Sequence, residues 1–242
     1  TLTIVDDASF KGYSNQNNNA ANSVNGANIY ITGGTYSNQS FYGAVGTAVF
    51  ILSGNVTINA ICLNDVVVAS GANTVNFDNG ATYINFTSCK LSYVSGLTTC
   101  NPLTWFNVGV NVILDTSLMT FTTFFAFNTS SVTLLSNLNC TDIIPNSGTS
   151  TINGFKINVS RNLQMTAALQ GTTSIDLIGS GVWSGSGQVR NNLTIKSTAI
   201  IDIVGNVQFN TGTFIVELGA QVNASNSNLT VANTATTTFD IS

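Results

Sequence analysis

The sequence predicts an all-β chain of many short strands, on three observations. Apolar and polar residues alternate over short runs such as Ile29-Tyr30-Ile31, Val56-Thr57-Ile58, Val75-Asn76-Phe77, Val207-Gln208-Phe209 and Leu229-Thr230-Val231. Side chains alternate across a strand, so such runs bury one face and leave the other wet. Turn-forming residues punctuate them, at Gly33-Gly34, Ser53-Gly54-Asn55, Ser70-Gly71-Ala72-Asn73 and Asn79-Gly80. The C-terminal stretch also repeats itself loosely. Asn-Leu-Thr recurs at Asn192 and Asn228, and apolar-Asp-apolar triplets occur at Ile175-Asp176-Leu177, Ile201-Asp202-Ile203 and Phe239-Asp240-Ile241. Offsets of 36 between the Asn-Leu-Thr pair and 38 between the last two triplets predict one supersecondary unit reused with a small change in loop length.

Strands of three to five residues suffice in a solenoid, where each pairs with the coils above and below at about 4.8 Å. Coil length drifts between about 18 and 26 residues, so the corners must vary. Residues 1–28 are expected to form an N-terminal strand and an Asn-rich linker, and 29–242 a single solenoid domain. The low-complexity tract Ser14 to Asn28 reads as a surface loop, or as a hinge that frees the first strand to pair with a neighbouring subunit. Residues 97–145 are the most apolar, with Leu103, Trp105, Phe106, Val108, Phe121, Phe124, Phe125 and Phe127. They predict an aromatic-filled section of the core, or a contact surface for a partner or sugar rings. The rival architecture is tandem β-sandwich domains. Cys89, Trp105 and Cys140 fall in the Cys-Trp-Cys order of an immunoglobulin domain, but Cys62 and Cys100 spoil the simple pairing.

Only 7% of residues are charged, against about 25% in ordinary globular domains. With six Lys+Arg against ten Asp+Glu there is no basic face for nucleic acid or anionic lipid, and no apolar run is long enough to span a membrane. Beginning at Thr1, the chain reads as a processed or excised segment. Its four cysteines lack metal-ligand spacing and the chain has no histidine, so disulfides in an oxidising compartment are expected. Cys89 with Cys100 closes a short loop, which leaves Cys62 for Cys140. Asn-x-Ser/Thr sequons occur at Asn38, Asn55, Asn85, Asn128, Asn139, Asn158, Asn192, Asn223 and Asn228. An Asn-, Ser- and Thr-rich chain yields about eight by chance, so the count permits N-linked glycans without establishing them.

Absence of histidine removes the usual general base and His-ligated metals. Glycoside hydrolysis would need two carboxyls about 5 to 9.5 Å apart. Asp6-Asp7 is the one adjacent pair, and neighbours on a strand point to opposite faces. Asp176, Asp202 and Asp240 could stack as a ladder that binds calcium, but repulsion between like charges favours outward placement. Thr-x-Thr elements at irregular spacings argue against an ordered threonine array. The expectation is no catalytic residue, no metal and no cofactor.

NLTIKSTAIIDIVG, FIVELGAQV and NLTVANTATTTFDI join apolar-polar-apolar triplets through Gly/Asn/Ser/Thr corners. In this the chain resembles the parallel β-helix (β-solenoid) domains of secreted adhesins and extracellular fibre proteins, most clearly over 192–242 and less over 29–94 and 149–191. The resemblance is architectural, and the catalytic histidine of the pectinase-like members is missing. It implies a secreted or cell-surface glycoprotein with a structural role, a fibre, stalk or coat subunit assembling with itself by end-to-end strand pairing. The alternative expectation is a glycan-binding adhesin, and after it a carbohydrate-active enzyme.

Overall fold

The computed structural model describes residues 2–4, 10–11, 28–38, 49–60, 62–63, 65–78, 80–117, 119–232 and 234–239. Asp6, Asp7, Asp240 and all of the Ser14 to Asn28 tract except Asn28 lie outside the described residues. The chain divides into two compact units, Thr1–Thr123 and Phe124–Ser242. Both are parallel β-solenoids, and among the described residues there is no helix.

In the first unit, one sheet contains β1 (Leu2–Ile4), β3 (Asn28–Asn38), β4 (Val49–Ala60), β6 (Asp65–Phe77), β8 (Lys90–Cys100) and β10 (Val112–Leu114), paired in that order, with β2 (Phe10–Lys11) beside β3. A second sheet pairs β5 (Cys62–Leu63), β7 (Tyr83–Phe86) and β9 (Trp105–Val108). β11 (Thr120–Asn128) carries the chain into the second unit. Several of these strands are two short arms joined at a corner rather than single runs. Register shifts between Ile31 and Gly33 and between Leu52 and Val56 mark the bends. Glycine is required at one of them, because a Cβ on Gly54 would lie 1.5 Å from the Thr32 carbonyl oxygen.

The arms alternate as their sequence predicts. Leu52, Val56, Ile58, Val66, Val68, Val75 and Phe77 are buried while Ser53, Thr57, Val67 and Asn76, which alternate with them, are more exposed. Stacking the coils brings Phe77, Phe86, Phe106 and Phe121 together, with ring centroids of Phe106 5.6 Å from Phe77, 5.3 Å from Phe86 and 5.1 Å from Phe121. The aromatic-filled core expected around residue 106 is therefore present, although Leu103 is 63% exposed and does not join it.

The second unit pairs β12 (Ser131–Leu134), β14 (Thr149–Gly154), β16 (Ala168–Gln170), β19 (Gln188–Arg190), β22 (Asn206–Phe209) and β25 (Asn228–Val231) in one sheet. The facing sheet runs β13 (Leu138–Ser147), β15 (Ile157–Gln164), β17 (Ile175–Leu177), β20 (Leu193–Ile195), β23 (Gly212–Val216) and β26 (Ala235–Phe239). A third arm is formed by β18 (Gly181–Ser184), β21 (Ile200–Val204) and β24 (Gln221–Asn223), with β18 also paired to the end of β15. Register offsets give the coil length directly. Asn158 faces Asp176 eighteen residues on, Gln188 faces Gln208 twenty on, and Phe214 faces Thr237 twenty-three on. Strand positions stay in register while the corners absorb the difference. Gly181 lies where coils come closest, since a Cβ there would sit 1.6 Å from the Arg161 carbonyl oxygen.

One expectation is corrected. The two Asn-Leu-Thr triplets are not equivalent points of a repeat. Leu193 lies in β20, facing Ile175 and Phe214, whereas Leu229 lies in β25 of the other sheet, facing Val207. Both sheets demand the same inward-outward alternation, so a strand motif carries no mark of which sheet it occupies.

Candidate functional site

Hydrogen bonds on the outward faces and corners run from one coil to the next. Asn158 donates its amide to Asn139 at 2.7 Å, Asn228 to Asn206 at 2.9 Å, Gln188 to Gln208 at 3.2 Å, and in the first unit Asn107 to Asn85 at 2.6 Å. At corners, the Thr104 hydroxyl donates to the Gly80 carbonyl at 2.8 Å, and Thr123 in turn donates to the Thr104 carbonyl. Such ladders fix register between coils, which the alternation alone leaves open.

Charged residues follow the same rule. Arg161 grips Asp142 through Nε at 2.9 Å and Nη2 at 2.5 Å, Lys156 reaches Asp176 at 2.8 Å, and Lys196 pairs with Glu217. The sequence separations are 19, 20 and 21 residues, one coil each. The ammonium of Lys196, donating to Glu217, holds that carboxyl below the usual carboxylate range. Arg161 and Arg190, which have no evident partner in sequence, thus acquire them. Arg190 donates to Gln188 and Gln170.

The aspartate ladder does not form between Asp176 and Asp202. Asp176 is buried and faces Thr194, whereas Asp202 is exposed, faces Val182 and accepts from Asn223. Among the described residues, no group of three or more Cys, Asp or Glu is placed to hold a metal ion.

The disulfide expectations are also corrected. Cys89 immediately precedes β8 and Cys100 ends it, and the strand bends near Gly96. Cys100 is a free thiol, so the expected Cys89–Cys100 disulfide does not form. Cys140 is a buried thiol, so its pairing with Cys62 does not form either. The Cys62 side chain lies outside the described residues. Burial pushes the Cys100 thiol up to about 12 and raises Cys140 further.

A pH dependence follows from the two thiols. A thiol raised in the folded state keeps its proton where the unfolded chain, near the ordinary value of about 8.5, has lost it. Stability is therefore full below that value and falls as pH rises through the folded-state range. The urea midpoint is expected to drop between about pH 9 and pH 12, and Cys100→Ser, relieved of one such thiol, to drop less. Equal slopes for both proteins would refute the assignment.

The sequons divide by environment. Asn55, Asn192, Asn223 and Asn228 are exposed, and Asn85, Asn128, Asn139 and Asn158 are half-buried. The Asn38 side chain lies outside the described residues. Asn158, Asn223 and Asn228 commit amide protons to inter-coil bonds, whereas Asn55 and Asn192 use their carbonyl oxygens to accept from the backbone of Thr74 and Thr213.

Two surfaces remain after these structural roles are assigned. The first is the outermost described coil of the second unit. Leu229 and Val231 face inward, in register with Val207 and Phe209, but are only half-buried where those two are 0% exposed. Thr237, in register with the fully buried Phe214, is exposed. The second is the outward face of β7 and β9, where Tyr83 lies beside Trp105 and Asn85 beside Asn107. Trp105 was grouped with the apolar core in the sequence. Its strand, Trp105-Phe106-Asn107-Val108, shows the signal that separates it, because burying Phe106 and Val108 turns Trp105 and Asn107 outward.

Comparison with protein-family models, with curated proteins and with solved structures returns no match.

Proposed function

We propose that the protein is a structural extracellular glycoprotein, a subunit of a fibre, stalk or surface coat that assembles by stacking its coils end to end. The observation that supports this reading is the outermost described coil of the second unit. Its inward apolar side chains Leu229 and Val231 are only half-buried, and no charged residue occurs in β24, β25 or β26 to oppose a further strand. A second copy laid on this end would continue the main-chain pairing and the amide ladders that already join neighbouring coils. The low charge content also suits stacking, since like charges would repeat at each junction. In this reading the role is non-catalytic and uses no cofactor. Glycans on the exposed asparagines would supply surface polarity that so few charges do not.

Electron microscopy of negatively stained protein tests this. The intact chain is expected to form filaments whose length grows with concentration. Thr237→Lys places a charge on the outermost described coil and is expected to leave short particles. Thr133→Lys, on the exposed face of an inner strand, retains filaments. Short particles from the unaltered chain at every concentration would refute end-to-end assembly.

A further inference from the structure

We propose that copies of this chain also associate side by side, Arg190 on one face of the second unit meeting Asp202 on another face of a neighbouring copy, a contact that rests on the end-to-end reading because stacking multiplies it. Among the described residues of the second unit the cations are Lys156, Arg161, Arg190 and Lys196, and the acids are Asp142, Asp176, Asp202 and Glu217. Three pairs form one coil apart, Lys156 with Asp176, Arg161 with Asp142 and Lys196 with Glu217. Arg190 and Asp202 are left, one of each sign.

Arg190 stands on an acid-free face. β12, β14, β16, β19, β22 and β25 contain no Asp or Glu, and Arg190 is their one cation. Val189 is buried, which turns Gln188 and Arg190 outward. Arg190 donates from Nε and Nη2 to the Gln188 side-chain oxygen and from Nη1 to that of Gln170 at 3.5 Å. A guanidinium has five N–H groups, so one on Nη1 and one on Nη2 are left to take a carboxylate. Gln170 and Gln188 are themselves tied to Thr151 and Gln208, and the arginine is therefore ordered before a partner arrives.

Asp202 offers the complement. Ile201 and Ile203 point into the core, so β21 turns Ile200, Asp202 and Val204 outward. Asn223 donates to Asp202 Oδ1 at 2.8 Å, which leaves Oδ2 for a second donor. Ile200 is 39% exposed and Val204 53%, and the carboxylate lies between them. The methylene stems of the glutamines and Arg190 can cover these two side chains while their polar ends bond elsewhere. Arg190 and Asp202 lie in different sheets and do not pair within one copy. A contact between unlike faces can repeat from copy to copy, which suits a bundle. One ion pair with two apolar neighbours is small beside the roughly 800 Å² per partner of an ordinary interface. Along a stacked filament, however, every copy presents the same pair, and the contacts add as multivalent binding does. Asn223 holds Asp202 and Asn228 lies on the Arg190 face, so in a bundle neither carries a glycan.

The full chain, produced without N-glycans, is imaged by negative-stain electron microscopy. The unaltered chain is expected to form bundled filaments, and Arg190→Glu and Asp202→Arg each to give single filaments. An equimolar mixture of the two variants restores bundles, because each supplies the charge that the other lacks, and so does the double variant. Sedimentation equilibrium repeats the comparison in the Thr237→Lys background, where filaments are not expected. There either reversal weakens self-association by about tenfold, and the mixture recovers it. Urea midpoints report folding, and Arg190→Gln or Asp202→Asn replaces a reversal that does not fold. The proposal is overturned if folded single variants bundle and sediment like their parents, or if the mixture stays dispersed. It is equally overturned if Arg190→Glu acts and Asp202→Arg does not, since the acid held by Arg190 would then come from another molecule. Single unbundled filaments from the unaltered chain refute the lateral contact alone. Absence of filaments refutes end-to-end assembly, and sedimentation still decides the lateral contact.

Discussion

Trp183→Ala is expected to lower the stability of the second unit by about 3–5 kcal/mol, seen as a large fall in the urea midpoint. Trp183 is fully buried in β18, in register with Leu163 of β15 and Ile203 of β21, and its ring meets Phe214 edge-on at 6.0 Å. Removing it opens a void bounded by residues of neighbouring coils, which cannot close without breaking the main-chain pairing on either side. Trp183→Phe is expected to cost less than about 1.5 kcal/mol. The indole Nε1 is buried with no acceptor, so phenylalanine gives up contact area but also removes an unsatisfied donor. Equal losses for the two variants would show that the hydrogen-bonding state of the indole, not the filled volume, governs this position.

Arg161→Ala has the second largest expected effect, about 3 kcal/mol, toward the lower end of what uncompensated buried charges cost. The Asp142 carboxylate is only 5% exposed and accepts from Arg161 Nε, Arg161 Nη2 and the Asn162 amide. Alanine leaves it with the single backbone donor. Lysine restores the charge but not the two-pronged contact, and is expected to recover part of the loss. The arginine itself is largely exposed, so the effect arises from the stranded carboxylate and not from lost packing. Urea unfolding of Arg161→Ala, Asp142→Asn and the double variant separates these contributions. If the double variant is no more stable than Arg161→Ala, the stranded charge is not the cause.

Strand content and the solenoid arrangement were legible because they depend on alternation and on turn residues, both local. Val56-Thr57-Ile58 and Val75-Asn76-Phe77 read as strands in isolation and prove to be neighbours, Val56 opposite Val75. What could not be read locally was which segment lies one coil away. Asn192-Leu193-Thr194 and Asn228-Leu229-Thr230 look like a repeat but belong to different sheets, while the true partners of Leu193, Ile175 and Phe214, share with it only apolar character. The ion pairs held the missing information. Opposite charges at Asp142 and Arg161, Lys156 and Asp176, and Lys196 and Glu217 recur at one coil length, a spacing that becomes visible only once that length is known. The cysteines misled because an even count was read as pairing, when burial of Cys140 makes it a small apolar core residue. The outward aromatic pair was missed for a related reason. Apolar content around residue 105 was read as a block, and the alternation within the strand was not carried through to Trp105.

The near-constant offset between facing strands also bears on how the chain reaches its fold. Parallel sheets are ordinarily slow to form, because their strands are distant in sequence and the loop between them must close first. Here Leu169 meets Val189 and Ile175 meets Leu193 across about one coil. With partners roughly 20 residues apart in a chain of 242, the relative contact order is about 0.08, within the range of helical bundles. Each coil needs only its predecessor as a template, so structure can spread from any nucleus in either direction. The error to which such a process is prone is a strand accepting the wrong coil as its neighbour, and the one-coil spacing of the charge pairs makes that error electrostatically unfavourable.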